Sequence, residues 1–395
     1  MATIRLKPGA DRAMLRGHPW IFAGALADEP SDVVPGDTVE ITAADGTWLA
    51  RGAWSPSSHI RIRVWTRNRD EPVDAGWIQR RLEQSVAWRV RLGLVGPGLA
   101  CRLVFGESDG LPGLVVDRYD HTVVCQFSAV GMERWKPVVA EALSGLEGVV
   151  SVFERSDIPS RRYEGLEPMT GLLAGREPKG PVEIREGDCR YRVDVRAGHK
   201  TGFYLDQRVN RGLVAGWAAG RRMLNAFSYT GAFGIAALRA GAAHVVQVDS
   251  SGPALNLARD QASLNDIDPA RCECVEADVG QYLRRCRDAA RTFDLVVLDP
   301  PKFAETKTQV EGACRAYKDI NLLALKLLAP GGLLFTFSCS GHISPDLFHK
   351  VVASAGVDAR RSARIVGWMD QPADHPVGLE FPESRYLKGL IVAAD

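Results

Sequence analysis

The strongest constraint on this chain is an alternation of strand-like and helical segments over residues 207–340. Apolar runs such as HVVQVD, FDLVVLD and GLLFTFSCS have the aliphatic, β-branched content of buried strands, and helical patterns separate them. Such alternation predicts an α/β fold, in which a parallel sheet is covered by helices on both faces. Ligands of these sheets bind at the carboxyl ends of the strands. The residues that follow each strand are therefore the first candidates for function.

Two further regions precede the alternating one. Residues 4–66 contain short β-type runs separated by Gly, Pro, Asp and Ser, which predicts a small β-rich module. Residues 77–95 predict a helix, because apolar residues recur every four positions at Ile78, Leu82, Val86, Val90 and Leu94. Four strand-like runs follow this helix, so we expect a central α+β unit, and a stretch rich in Gly, Pro and charge marks its end. We predict three domains, at residues 1–70, 71–178 and 179–395.

Composition narrows the class of protein. The 395 residues are 46% hydrophobic and carry a net charge of +1, which is typical of an ordinary globular chain and gives no general attraction to polyanions. The eight cysteines form no CxxC pair, so we expect no metal site and a reducing, cytoplasmic location. We also expect neither export nor membrane insertion, because no apolar run approaches the roughly 20 residues that span a bilayer.

Three predicted strand ends carry residues suited to a nucleotide-like ligand. Gly231 and Gly234 open a helix after the first strand, where glycine lets a ligand approach unpaired N–H groups. Asp249 ends the second strand and is placed to accept hydrogen bonds from ribose hydroxyls, whereas Asp278 either bonds an adenine amino group or caps the next helix. The full GxGxxG spacing of dinucleotide-binding proteins is absent, and a glycine-rich packing turn is the alternative interpretation.

The fourth and fifth strands of the region end in residues that suit covalent chemistry on a flat base. Asp299 begins the sequence DPPKF, whose two prolines keep the chain extended and hold the carboxylate at the edge of the sheet. Cys339 follows the next strand, between Ser338 and Ser340. A thiolate is a strong nucleophile, and a polar strand end is an unusual place for a cysteine that only packs. A small packing residue is the alternative for Cys339.

These motifs together resemble the class I S-adenosylmethionine-dependent RNA methyltransferases. The closest likeness is to the bacterial ribosomal-RNA large-subunit methyltransferase I group, which makes 5-methylcytosine. LKPGADRAMLRGHPWIF is similar to the N-terminal PUA domain of that group, and FGESDGLPGLVVDRY is similar to its central domain. HKTGFYLDQR, NAFSYTGAFGIAAL, LDPPKF and FSCSGH resemble its Rossmann-like catalytic domain. The resemblance covers essentially the whole chain.

The resemblance implies an S-adenosylmethionine pocket and two catalytic residues. The cofactor-binding residues carried over to this chain are Tyr204, Gln207, Asn225, Phe227, Ser228, Thr230, Gly231, Asp249 and Asp278. Cys339 matches the nucleophile that adds to carbon-6 of cytosine, and Asp299 is implied to hold the base near N3. Carbon-5 then becomes nucleophilic enough to take the methyl group. The implied role explains why a cysteine flanked by serines stands at the end of a strand.

One departure from the wider set of RNA 5-methylcytosine enzymes concerns product release. Those enzymes carry Pro-Cys after the aspartate of the fourth strand, whereas this chain reads Asp-Pro-Pro-Lys and has no thiol there. Lys302 and His342 are candidates for the base that removes the carbon-5 proton. An exposed, solvated lysine and a structural histidine are the alternative interpretations.

The expected partner is large-subunit ribosomal RNA, either free or in a precursor particle, because a paired cytosine must be extruded to reach a pocket. Arg155, Arg161 and Arg162 are candidates for phosphate contacts, and the strand-rich N-terminal modules are a candidate surface for a homodimer. Three competing functions are methylation of another base atom such as guanine N7, a dinucleotide-dependent oxidoreductase, and a non-enzymatic ribosome-assembly factor. Cys339 argues against the first, since methylation of nitrogen needs no covalent nucleophile, and the incomplete glycine motif argues against the second.

Overall fold

The structure is a computed structural model that describes all residues from 1 to 395, and it divides into two compact units. Segments that are distant in sequence share a unit. The first unit comprises Met1–Ile184, Val193–Leu205 and Ala373–Ser384, and the second comprises Arg185–Arg192, Asp206–Pro372 and Arg385–Asp395.

The first unit begins with a five-stranded sheet and a short helix, α1 (Arg12–Leu15). Its strands are β1 (Thr3–Arg5), β2 (Trp20–Phe22), β3 (Thr38–Thr42), β4 (Trp48–Trp54) and β5 (Ile60–Thr66), in the order β1-β3-β4-β5-β2. Apolar and polar residues alternate along β3, and the apolar ones, Val39 and Ile41, are fully buried. The β-rich N-terminal module predicted from the sequence is therefore present.

The central part of the first unit is a second five-stranded sheet packed against helices. The helices are α2 (Ala75–Arg91), α3 (Val130–Glu133) and α4 (Lys136–Ser144). The strands are β6 (Ala100–Phe105), β7 (Leu114–Tyr119), β8 (Thr122–Phe127), β9 (Ser151–Ser156) and β10 (Met169–Gly175), in the order β10-β9-β8-β7-β6. Only β8 and β9 pair in parallel, as expected for two strands joined by a helical crossover. The predicted central α+β unit is confirmed.

The apolar pattern of α2 describes its buried face only in part. Asp74 caps the helix by accepting a hydrogen bond of 2.8 Å from the Trp77 N–H. Ile78 and Leu82 are buried, but Val90 is 55% exposed, contrary to the predicted apolar row. A spacing of four residues turns about 40° beyond a full helical turn at each step, so a row of such residues rotates off the core within three steps.

A β-hairpin follows the central region in the sequence and precedes the strands of the seven-stranded sheet. Its strands are β11 (Val182–Glu186) and β12 (Cys189–Val193). A polar turn at Gly187 and Asp188 separates them.

The second unit is built on a seven-stranded sheet in the order β15-β14-β13-β16-β17-β19-β18. The strands are β13 (Arg222–Ala226), β14 (His244–Asp249), β15 (Cys272–Glu276), β16 (Phe293–Leu298), β17 (Leu328–Ser338), β18 (Ala363–Asp370) and β19 (Lys388–Ala394). Only β19 runs against the others, because it pairs antiparallel with both β17 and β18. The predicted parallel sheet is confirmed, and β18 and β19 lie beyond the alternating region of the sequence analysis.

Helices cover this sheet and enclose its core. They are α5 (Arg208–Gly216), α6 (Ala232–Arg239), α7 (Gly252–Leu264), α8 (Val279–Asp288), α9 (Val310–Leu327) and α10 (Pro345–Ala359). Fully buried side chains of the central strands, such as Val296 and Phe335, pack in the core of this unit, where Tyr317 of α9 and Phe348 of α10 are also fully buried. No helix of the protein is both long enough and apolar enough to cross a membrane.

Two side-chain amides, one in α7 and one at its C-cap, bind the backbone of β12 in the way a neighbouring strand would. The carbonyl oxygen of Gln261 accepts from the Arg192 N–H at 2.9 Å, and its amino group donates to the Arg192 carbonyl at 2.8 Å. Asn265, one helical turn later, makes the same pair of bonds with Arg190 at 2.8 and 2.7 Å. Both amides are buried, so they satisfy an edge that would otherwise leave its polar groups unpaired.

Candidate active site

Five predicted site positions follow the carboxyl ends of adjacent parallel strands. The turn at residues 227–231 follows β13, Asp249 ends β14, Asp278 follows β15, Asp299 follows β16 and Cys339 follows β17. Because these strands are neighbours and run in the same direction, the five positions lie at one edge of the sheet. No cluster of three or more metal-binding side chains occurs in the protein.

The turn after β13 has an unusual backbone. Phe227 and Tyr229 have φ angles of 61° and 48°, and Gly231 follows with 79°. A left-handed conformation at a bulky residue costs about 1 to 3 kcal/mol and persists only when the surroundings impose it. Here the neighbouring strand end imposes it, since the Ser228 N–H donates to the Val248 carbonyl and the Tyr229 N–H donates to Asp249 Oδ2 at 2.8 Å.

Glycine is required at two positions of this segment by close packing against Gln247. A Cβ atom at Gly234 would lie 2.2 Å from Gln247 Nε2, and one at Gly231 would lie 2.8 Å from the same atom. Gln247 in turn donates to the Gly231 carbonyl at 3.1 Å and accepts from Asn225 Nδ2 at 2.7 Å. Close packing therefore explains why both of these residues are glycines. It leaves open whether they also let a ligand approach.

Three buried oxygens around the turn have no hydrogen-bond partner in the protein. They are Asn225 Oδ1, Ser228 Oγ and Thr230 Oγ1, and their residues are only 1%, 7% and 4% exposed. A buried polar atom without a partner costs on the order of 1 to 3 kcal/mol. Three such atoms beside a helix N-terminus are the arrangement expected of a site whose hydrogen bonds a polar ligand completes.

The two acidic residues beside the turn each have a structural contact. Asp249 accepts from the Tyr229 N–H through Oδ2 and from the Ser251 N–H through Oδ1, at 2.8 and 2.9 Å. Asp278 is the N-cap of α8, and its Oδ1 accepts from the Gln281 N–H at 2.8 Å. Of the two interpretations left open for Asp278, the capping one is thus realised. A carboxylate oxygen has two lone pairs, so a ligand contact at either residue stays a prediction.

Asp299 accepts a hydrogen bond from one buried amide, which a second buried amide orients. Gln207 Nε2 donates to Asp299 Oδ1 at 3.0 Å, and Gln207 Oε1 accepts from Asn210 Nδ2 at 2.6 Å. Gln207 and Asn210 are 2% and 1% exposed, so the carboxylate has a fixed orientation. Tyr204, the other predicted residue of this segment, belongs to the first unit, where its hydroxyl lies 3.3 Å from His199 Nδ1.

The serines on both sides of Cys339 are bound to one buried tyrosine. Ser338 Oγ donates to the Tyr317 hydroxyl at 2.9 Å, and Ser340 Oγ lies 3.1 Å from the same hydroxyl. The Ala304 N–H also donates to Ser340 Oγ, at 3.3 Å. Cys339 Sγ lies 3.9 Å from the carbonyl oxygen of Pro300, the residue after Asp299. The half-buried thiol therefore stands beside the Asp299 strand end on a segment fixed from both sides.

Lys388, which no sequence motif indicated, completes this arrangement. Lys388 is the first residue of β19, lies opposite Ser338 in the strand pairing and is only 5% exposed. Its Nζ donates to the carbonyl oxygens of Ser340 and Ile343, both at 2.7 Å. Burial lowers the pKa of Lys388 to about 8, and the negative charge of a Cys339 thiolate opposes that shift. Burial also raises the pKa of Tyr317, and the Cys339 charge acts in the same direction.

The other predicted polar residues are either exposed or form structural contacts within the first unit. Lys302 is exposed, and His342 Nε2 lies 3.1 Å from the Glu305 carbonyl oxygen in an exposed loop. The prediction of phosphate contacts is wrong for Arg155 and Arg161, which are 6% and 1% exposed. Arg155 donates to the carbonyls of Val195 and Gly198, and Arg161 pairs with Glu133, so both charges are used inside the first unit.

Comparison with known proteins defines the class first. The profile of the S-adenosylmethionine-dependent methyltransferase family matches residues 156–381, and that of the PUA-like domain matches residues 4–67. The chain is thus an S-adenosylmethionine-dependent methyltransferase with an N-terminal PUA-like domain. It is 49% identical to ribosomal RNA large subunit methyltransferase I of Shewanella frigidimarina over 98% of both chains, and 49% identical to that of Aeromonas salmonicida over 99% of both. The chain belongs to the ribosomal RNA large subunit methyltransferase I family.

Two solved structures share the fold over the full length of both chains. A putative SAM-dependent methyltransferase from Streptococcus mutans has a TM-score of 0.85 at 21% identity. A putative methyltransferase complexed with SAH has a TM-score of 0.87 at 22% identity. The predicted fold class, a PUA-like domain followed by a central domain and a Rossmann-like methyltransferase domain, is confirmed, as are the predicted enzyme class and its cofactor.

Proposed function

We propose that this enzyme transfers a methyl group from S-adenosylmethionine to carbon-5 of a cytosine in large-subunit ribosomal RNA, through a covalent adduct with Cys339. The observation that supports this most is the placement of the Cys339 thiol. It stands at the end of β17 beside the strand end of Asp299, on a segment bound by Tyr317 and Lys388. Methylation of a ring nitrogen needs no thiol, so guanine N7 as the target would leave this arrangement without a purpose.

The turn after β13 and its surroundings are the proposed cofactor site. The residues proposed to hold the cofactor are Tyr204, Gln207, Asn225, Phe227, Ser228, Thr230, Gly231, Asp249 and Asp278. The unpartnered oxygens of Asn225, Ser228 and Thr230 fit a polar ligand with hydroxyl, amino and carboxylate groups. When bound, S-adenosylmethionine supplies an electrophilic methyl group on a sulfonium.

The residues of the chain carry the remaining chemistry. Carbon-5 of cytosine is a poor nucleophile, so Cys339 attacks carbon-6 as a thiolate, and the S–C6 bond forms while electron density moves to carbon-5. Asp299, oriented by Gln207, acts in its protonated form and donates a hydrogen bond to N3 as negative charge develops there. After methylation, a base removes the carbon-5 proton, the C5–C6 double bond re-forms and the S–C6 bond breaks, which restores the thiolate.

The finer features of the interaction with RNA belong to the same proposal. Free rRNA or a precursor particle is a better substrate than RNA in which the target cytosine is paired, because an unpaired cytosine enters a pocket without the cost of unpairing. A reducing cytoplasm suits a mechanism that depends on an unoxidised thiol. The domain limits at residues 70 and 178, and a homodimer formed through the strand-rich first unit, stay predictions.

Replacing the nucleophile tests the proposal directly. Purified wild-type protein, Cys339→Ala and Cys314→Ala are incubated with S-adenosylmethionine and unmodified large-subunit rRNA, and the digested RNA is analysed by mass spectrometry for methylated nucleosides. Cys314 is also a half-buried thiol of the second unit and serves as the matched control. We expect 5-methylcytidine from the wild type and Cys314→Ala, and a loss of roughly a thousandfold or more for Cys339→Ala.

Binding of S-adenosylmethionine, measured by calorimetry, should be similar in all three proteins, because Cys339 acts on the base. Normal methylation by Cys339→Ala, or 7-methylguanosine as the product, would contradict the proposal. RNA binding and ribosome assembly without any methylation would favour the non-enzymatic alternative.

A further inference from the structure

Lys388 is a buried cation beside the proposed nucleophile, and the chemistry described above does not use it. Lysine is rarely buried without a partner, because removing an ammonium group from water costs several kcal/mol. The side chain is nevertheless 5% exposed and points into the loop that follows Cys339. The fold thus retains an unfavourable group beside the segment that carries the reacting sulfur.

The hydrogen bonds of Lys388 fix the backbone immediately after the nucleophile. The carbonyl of Ser340 is one residue from Cys339, and that of Ile343 closes the loop before α10. Since Lys388 also pairs with Ser338 across the strands, it holds both sides of Cys339. The nitrogen of an ammonium ion carries three N–H groups, and these two carbonyls accept from two of them.

We propose that Lys388 is a positioning residue for Cys339: it anchors the loop and, as an ammonium ion, stabilises the sulfur as a thiolate. The proton that leaves Sγ passes to solvent water, because Nζ already carries its third proton below its pKa of about 8, and the ammonium ion stabilises the thiolate that remains. This proposal rests on the proposed function for its relevance to catalysis, because only a mechanism with a thiolate nucleophile needs it.

The charged groups around Lys388 determine how the pair responds to pH. Cys339 and Asp370 favour the ammonium form, whereas Arg385 and Lys302 oppose it along with burial. The amine therefore loses its charge at a lower pH than an exposed lysine would, with a pKa of about 8. Below that pH the cation is present and supports the thiolate, and as the pH rises through it the electrostatic support is lost.

The decisive experiment measures the reactivity of the sulfur without reference to methylation. Wild type, Lys388→Met and Lys350→Met are treated with iodoacetamide from pH 6 to pH 10, and alkylation of Cys339 is followed by peptide mass spectrometry. Lys350 is an exposed lysine of the same unit that pairs with Asp346, and its variant should match the wild type. We expect the midpoint of the alkylation curve in Lys388→Met to rise by about one pH unit, with a roughly fivefold to tenfold slower reaction at pH 7.

A second variant separates charge from rigidity. Tyr317→Phe loosens the same segment but retains the Lys388 cation, so its alkylation midpoint should stay at the wild-type value. A folded Lys388→Met protein whose curve superimposes on that of the wild type would overturn the proposal, as would an equal shift in Tyr317→Phe.

A comparison of two thiols within the unaltered protein covers the case in which Lys388→Met does not fold. Cys339 should be alkylated faster than Cys314 at pH 7, since burial and Glu311 raise the pKa of the Cys314 thiol. An equal or slower rate at Cys339 would count against the proposal. These results are distinct from the test of the proposed function, which is decided by the nucleoside that the wild type makes and by its loss in Cys339→Ala.

Discussion

The candidate site has two halves, the turn after β13 and the segment around Cys339, which lie at one edge of the same sheet. The two halves differ in whether the protein itself satisfies their hydrogen-bonding groups. The turn after β13 has three buried oxygens without protein partners and two bulky residues with positive φ. In the Cys339 segment, by contrast, both serine hydroxyls and the Lys388 ammonium have partners within the protein. We infer that the first half is adapted to gain hydrogen bonds on binding, whereas the second is preorganised before any ligand arrives.

This difference predicts that changes in the turn affect cofactor binding and stability, whereas changes around Cys339 affect the rate of the chemical step. The largest effect on stability is expected at Gly234, in the first turn of α6 directly after this turn. A methyl group there would overlap Gln247 at 2.2 Å and disturb its bond to Asn225, so Gly234→Ala should lower the free energy of unfolding by about 3 kcal/mol and weaken S-adenosylmethionine binding at least tenfold. Urea unfolding and calorimetry measure the two effects.

Gly212 provides the control for that variant. It lies in α5, and a methyl group on its Cα would have no heavy atom within 4 Å, so Gly212→Ala should leave binding unchanged and stabilise the helix by up to about 1 kcal/mol. If Gly234→Ala bound the cofactor as tightly as Gly212→Ala does, the turn would not be the constrained half of the site.

A smaller effect, of the opposite kind, is expected at Tyr317. Tyr317→Phe removes the hydroxyl that both flanking serines contact, which should cost about 2 kcal/mol of stability and reduce kcat roughly tenfold, with little change in the KM for S-adenosylmethionine. Steady-state kinetics and unfolding check this result. Tyr282→Phe, on α8, loses the hydrogen bond from Arg291 far from the Cys339 segment and should leave kcat unchanged. A rise in KM without a fall in kcat would show that the Cys339 segment is not preorganised for chemistry.

The smallest effect concerns Asp278, which caps α8 whether or not it binds the cofactor. Asp278→Ala should cost about 1 kcal/mol of stability through loss of the cap, whereas Asp278→Asn keeps an acceptor for the Gln281 N–H and should cost little. Ser344→Ala, at the cap of α10, is the matched control for stability. If only Asp278→Ala and Ser344→Ala lose stability and both Asp278 variants bind S-adenosylmethionine normally, Asp278 is a cap alone.

The sequence was sufficient for those features that depend on local patterns. Alternating strands and helices define a parallel sheet, and the sheet places Asp249, Asp299 and Cys339 at one edge whatever the details of packing. The roles of Gln247, Tyr317 and Lys388 depend instead on which strands and helices become neighbours. The Lys388 contact spans 48 residues and exists only because β19 inserts beside β17, which no local pattern indicates.

Charged residues are the other source of error in predictions made from the sequence, because their partners are also distant along the chain. Arginine is usually solvated at a surface, so the sequence predicts that Arg155 and Arg161 meet phosphate. Both are instead buried among carbonyl and carboxylate acceptors supplied by distant parts of the first unit. Lys388 shows the same limitation, because a lysine that begins a strand gives no sign of whether it faces water or the interior.

The position of β19 has a consequence for how the enzyme is made. This strand lies between β17 and β18, although it is synthesised after both. While a ribosome is still translating the chain, residues 388–394 are missing from the sheet, and the segment around Cys339 lacks its lysine anchor. A chain in which only β13 to β18 have folded thus contains most of the sheet but not the finished nucleophile. The surroundings of the reactive thiol are complete only when β19 has joined the sheet between two strands that precede it in the chain.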